Sequence, residues 1–182
     1  MQFCLHYAGR LRSRDNAKGK HALRQQLHPQ LKALFATPSI RSFIGRQRMP
    51  DELAELCTDI GSKRFWYVVS EKLHTVAALS ITILLPGDSP SLLTNGGDID
   101  NRIKTLLDAL RAPAATSEIP KGDSFDYSDG GMYCLLENDN LVDRLAVKTY
   151  RDLEPIDKHS VRCIIEVETR VTQAVWKNLS FS

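Results

Sequence analysis

The stretch Gly96-Gly97-Asp98-Ile99-Asp100-Asn101-Arg102-Ile103-Lys104-Thr105-Leu106-Leu107-Asp108-Ala109-Leu110 carries a local structure and a local chemistry together. Ile103, Leu106, Leu107 and Leu110 recur at helical spacing and form one apolar face, which predicts a helix over about 101–111, ended by Pro113. Asn101, Lys104 and Asp108 project from the other side. Asp98 and Asp100 flank a single apolar residue after a Gly-Gly turn, at the mouth of that helix. Two carboxylates so placed can hold Mg²⁺ or Mn²⁺, because hard cations take oxygen ligands. Lys104, one turn beyond Asp100, can meet a phosphate. A solvated helix face is the competing explanation, but it does not require that acidic pair. Asp100 is expected both to cap the helix and to ligate.

Outward from this segment, the chain reads as a mixture of strands and helices. Phe3–Tyr7, Arg64–Val69, Thr75–Leu85, Met132–Leu136, Leu141–Tyr150 and Val161–Val171 are rich in β-branched and aromatic residues and are expected strands. Thr75–Leu85 is continuously apolar enough to be buried on both faces. A helix is expected from Lys20, with Pro29 kinking it or opening a second one through Phe35. Another is expected from Pro50, with Leu53, Leu56, Cys57 and Ile60 as its stripe and Gly61 as its stop. Residues 86–97 and 112–131 are loops; the second is long and polar, with Asp123, Asp126 and Asp129 expected in water. Residues 172–182 form a tail.

The 182 residues suit one compact domain spanning 1–182. No run is long and apolar enough for a membrane span, and the start Met1-Gln2-Phe3-Cys4-Leu5-His6-Tyr7 lacks the pattern of a signal peptide. Cys4, Cys57, Cys134 and Cys163 form no CxxC pair, and their apolar settings lead us to expect small buried thiols kept reduced in the cytoplasm. Residues 1–50 hold ten Lys/Arg and a single acid, Asp15; the other 132 hold 14 basic and 21 acidic residues. A basic third beside an acidic remainder suits phosphate attraction by one surface and metal binding by another. Arg10, Arg12, Arg14, Lys18 and Lys20 are candidates to line a DNA path, with surface solubility as the alternative. His6, His21, His28, His74 and His159 show no ligand spacing. Trp66 and Trp176 read as packing residues.

The full string D-x-D-N-x-x-K-x-x-x-D-A-L, Asp98 to Leu110, resembles the RusA-type Holliday junction resolvases, in particular an uncharacterised RusA-like subgroup. The family's second acidic element is matched by Leu135-Leu136-Glu137-Asn138-Asp139-Asn140-Leu141-Val142, with Asn138 and Asp139 in the paired positions and Glu137 able to compensate in part. Asn138 departs from the usual acid. The 41-residue interval from Asp98 to Asp139 is longer than in compact members, and residues 112–131 account for the excess.

The resemblance implies an α+β fold with a mixed sheet and packed helices, acting as a homodimer on branched DNA. It also implies Asp98, Asp100 and Asp139 as metal-binding carboxylates for Mg²⁺ or Mn²⁺. Lys104 would stand on the scissile phosphate, and the products would be a 5′-phosphate and a 3′-hydroxyl. Two-fold protein then matches two-fold four-way junction. Two alternatives stand beside this. The chain could bind branched DNA without cutting it, which Asn138 would permit, or it could cut flapped DNA or RNA.

Overall fold

The structure is a computed structural model that describes residues 1–13, 15–38, 40, 56–86, 99–175 and 178. Seven strands and two α-helices occur among the described residues: β1 (Gln2–Gly9), α1 (Ala17–Phe35), β2 (Cys57–Ile60), β3 (Lys63–Val69), β4 (Thr75–Pro86), α2 (Ile99–Leu110), β5 (Met132–Leu136), β6 (Val142–Asp152) and β7 (Val161–Val171). The strands form two sheets. One runs β1-β7-β4-β6, antiparallel except for the β4/β6 pair; the other runs β2-β3-β5, with β3/β5 parallel. The architecture is α+β with mixed sheets, as expected.

The core lies between the four-stranded sheet and the two helices. Leu5, Leu79, Ile81, Ile83, Cys163 and Ile165 face inward from the sheet; Leu23, Leu27 and Leu31 of α1 and Ile103, Leu106 and Leu110 of α2 meet them. Burying one such leucine is worth about 1.5–3 kcal/mol. α1 begins at Asn16, whose side chain accepts a hydrogen bond from Gly19 N, and it runs unbroken through Pro29. Pro29 sits on the exposed side, so it costs a backbone hydrogen bond but displaces no core residue.

Three expectations require correction. The helix read over Leu56, Cys57 and Ile60 is instead strand β2, paired with Lys63–Trp66 across a turn in which Gly61 takes φ 65°. The Pro50 portion of that reading lies outside the described residues, as does the 86–97 loop beyond Pro86. Cross-strand pairing overrides a stripe that only mimics helical periodicity. β4 is a central strand, but one face only is sealed: Leu79, Ile81, Ile83 and Leu85 are buried, while Val76, Ser80, Thr82 and Leu84 are half-buried.

Residues 112–131 are fastened to the body rather than free in water. Trp66 donates from Nε1 to Gly130 O at 2.6 Å, Phe125 packs edge-on against His28, and Lys32 pairs with Asp129. Gly131 closes the loop at φ 112°, where a Cβ would stand 2.5 Å from Arg64 O. No helix among the described residues is long and apolar enough to cross a membrane.

Candidate functional site

The motif helix α2 presents two sides, as its periodicity requires. Ile103, Leu106, Ala109 and Leu110 are buried, whereas Asp100 and Lys104 are exposed and Asn101 and Arg102 are half-buried. Asp100 is the second residue of the helix rather than its cap, since α2 begins at Ile99. A carboxylate in the first turn is favoured by the helix dipole. One turn separates it from Lys104, and both project to solvent, so an anion and a cation stand side by side on a rigid element. Asp98 lies outside the described residues.

The basic loop after β1 runs beside this helix. Asp15 N donates to Thr105 Oγ1 at 3.4 Å, which ties the loop to the residue next to Lys104. Arg10, Arg12 and Lys18 are exposed; Arg14 lies outside the described residues. Lys20 has a different environment. Its Nζ is 2.6 Å from Asp108 Oδ2, and its charge is balanced inside the fold.

Asp108 is buried and takes a second cation, Arg111, at 3.3 Å, and Arg111 also reaches Glu118 at 3.0 Å. Asp108 therefore has a structural role. Beneath it lies Arg24, 1 % exposed, whose Nη2 donates to Asp108 O at 2.8 Å and whose Nε donates to Arg111 O at 3.0 Å. This buried guanidinium caps the carbonyl end of α2, where the dipole is negative and four carbonyls lack helical partners. Its position in a helical run gives no sequence signal for that task.

Asp139 follows β5 and lines a cleft of about 320 Å³ with Thr58, Glu71, Arg111, Glu137 and Asn138. Arg111 stands about 16 Å along the helix axis from Asp100. Asp139 contributes to holding the Arg111 guanidinium above its ordinary range, after burial, which opposes it, and after Glu118 and Asp108. The structure thus places Asp139 in the Arg111 cleft, and Asp100 is not among that cleft's lining. Glu137 is occupied: its Oε2 accepts from Ser70 Oγ at 2.8 Å and Glu71 N at 2.9 Å. Among the described residues no three His, Cys, Asp or Glu side chains form a group able to hold a metal ion.

A second polar cluster was not visible in the sequence. Asp123, expected in water, has a side chain only 1 % exposed. Its carboxylate accepts from Lys63 Nζ at 2.7 Å, Tyr127 Oη at 2.7 Å, Gln25 Nε2 at 3.1 Å and Phe125 N at 3.0 Å, with His21 Nε2 at 3.1 Å. Burial opposes its ionisation, but the hydrogen bonds from Lys63, Tyr127 and Phe125 outweigh that and hold it down to about 2. Burial first, then the Arg24 charge, pushes His21 below its ordinary range against the pull of Asp123. With Arg24 Nη1 3.3 Å from its Nδ1, His21 is suited to the neutral ring that donates from Nε2 and accepts at Nδ1. Both ring nitrogens are engaged, so this pair locks the loop to α1.

No protein-family model matches the chain, and no curated protein and no solved structure shows significant similarity to it.

Proposed function

We propose that the chain is a divalent-cation-dependent endonuclease for branched DNA, of the RusA-like kind, working as a pair of copies on a two-fold substrate. The observation that carries this reading is the exposed Asp100–Lys104 pair on α2, beside a loop that presents Arg10 and Arg12. Asp98 and Asp100 supply the hard oxygen donors that Mg²⁺ or Mn²⁺ prefers, which fits the group. A bound cation would supply polarisation of the scissile phosphate and activation of water at neutral pH. Lys104 then orients the phosphate and offsets charge that develops on its oxygens. Arg10, Arg12, Arg14 and Lys18 hold the flanking backbone, an interaction that weakens steeply with salt. The resemblance would add Asp139 as a third carboxylate, whereas the cleft it lines is shared with Arg111 and not with Asp100.

The company that Asp139 keeps, in a cleft with Arg111 and a Glu137 whose Oε2 is already hydrogen-bonded, favours a second reading: a protein that holds branched DNA without cutting it. One experiment separates the two. The chain is incubated with a four-way junction and with linear duplex of the same sequence, with and without Mg²⁺. Junction-selective binding with Mg²⁺-dependent cutting supports the nuclease. Selective binding with no cutting in Mg²⁺ or Mn²⁺ selects the binding protein. Equal binding to both DNAs overturns both.

A further inference from the structure

We infer that the free edge of β6 is a self-pairing seam, where two copies of this chain join strand to strand, antiparallel, into one continuous sheet. The inference deepens the two-copy assembly proposed above and rests on that reading for its purpose, though its evidence is separate. The four-stranded sheet has two edges. At β1 the edge is occupied at His6, where Gln30 accepts from His6 N at 2.9 Å and donates to His6 O at 2.7 Å. At the other edge, among the described residues, no strand lies beyond β6.

The apolar face of the sheet also runs past its cover at that edge. Register pairs Leu79 with Leu145, Ile81 with Val147 and Ile83 with Thr149, so these β6 residues stand on the core face. Leu79, Ile81 and Ile83 are at most 2 % exposed, whereas Leu145 is 42 % and Val147 39 % exposed. A long edge strand with open apolar side chains is a template for another strand.

The sequence of β6 selects the occupant. Directly opposed residues share a face, so a two-fold pairing must join even-spaced registers to keep both core faces on one side. Centred on Val147, the seam sets Val147 against Val147 and Leu145 against Thr149 on the core face. On the outer face it sets Ala146 against Lys148 and the Arg144 guanidinium against the Tyr150 ring. Centred one residue toward the N-terminus, it opposes Arg144 to Lys148; centred one residue toward the C-terminus, it opposes Lys148 to itself. Like charges directly opposite are destabilising. A strand that carries both Arg144, Lys148 and Arg151 and Asp143 and Asp152 has no net preference for an acidic peptide, but it complements itself in this register.

The full chain tests this by its mass in solution and by crosslinking. Sedimentation should give twice the 20.5 kDa of the chain. Val147→Lys and Val147→Glu should each weaken self-association by on the order of tenfold or more while the circular dichroism spectrum is kept, because each opposes a charge to itself. An equimolar mixture of the two should restore the dimer. Opposed Cα atoms in such a pair lie about 4.5–5.5 Å apart, within disulfide reach. Val147→Cys in a Cys4→Ser background should therefore crosslink to itself under mild oxidation, and Tyr150→Cys should not. A monomeric wild type at tens of micromolar, dimeric charge variants, a mixture that stays monomeric, or crosslinking at position 150 in place of 147 each overturns the seam. Asp100→Asn should leave all of these readouts unchanged. A dimer that never cuts DNA thus defeats the nuclease reading alone, and a monomer that cuts defeats the seam alone.

Discussion

Replacing Asp123 with asparagine changes one oxygen for an NH₂ group at a site with five donors around it. Oδ2 receives Lys63 and Tyr127 and faces His21; Oδ1 receives Gln25 and Phe125 N. Whichever way the amide turns, its NH₂ faces donors and at least two hydrogen bonds are lost. Each buried donor left unmatched costs about 1–3 kcal/mol, which predicts a destabilisation of about 3 kcal/mol at neutral pH. For a chain of this length that is a fall in Tm of about 6–12 °C. The acid dependence gives a second reading. The carboxyl is held at about 2 in the fold, against an ordinary value near 3.9 in the unfolded chain. Its ionisation therefore stabilises the fold above about pH 4 and ceases to do so as pH falls toward 2, a contribution of about 2 kcal/mol. Urea unfolding of the two proteins from pH 7 to pH 2 should show a gap that narrows by about that amount below pH 4. A neutral-pH gap under about 1 kcal/mol, or a gap that does not narrow in acid, would refute the network as the fastener of residues 112–131.

Four further outcomes follow from the same geometry. Arg24→Met should destabilise the fold by about 3 kcal/mol in thermal unfolding, because Asp108 O and Arg111 O lose a buried charged donor. Lys104→Ala should lower junction cleavage by about tenfold to a hundredfold in single-turnover assays and change binding little. Removing Arg10, Arg12 and Arg14 together should weaken binding to all DNA alike and reduce the slope of log affinity against log salt by about two to three, measured by fluorescence anisotropy. Burial pushes the thiols of Cys134 and Cys163 up to about 11 and about 12. Mass spectrometry after maleimide treatment at pH 7.5 should find Cys4, which is exposed, labelled first and those two unmodified.

The parts of this fold that could be read in the sequence are those whose pattern is local. Val161–Val171 is a β-branched run and matches β7 residue for residue; Thr75–Leu85 matches β4 to within one residue. The motif helix was legible because its apolar face repeats with helical spacing. Cys57–Ile60 was misread because Leu53, Leu56, Cys57 and Ile60 satisfy a helical stripe, while the hairpin partner that decides the matter, Lys63–Trp66, lies beyond the pattern. Asp123 sits in a run that looks solvated, Gly122-Asp123-Ser124-Phe125-Asp126, and its partners His21, Gln25 and Lys63 arrive from 60 to 102 positions away in the chain. No spacing rule encodes such a cluster. The same holds for Asp139: its acidic neighbours were evident, but its place beside Arg111 is set by how β5 meets the end of α2, where Ala112 N bonds Leu136 O at 2.8 Å.

Single-turnover cleavage of a four-way junction in Mg²⁺, with wild type and Asp100→Asn compared at matched junction occupancy, bears most directly on the proposed activity. The account predicts cutting by the wild type that chelation abolishes. It also predicts a rate for Asp100→Asn lower by on the order of a hundredfold or more, with junction affinity within about threefold of wild type. Equal rates for the two proteins at equal occupancy would contradict it.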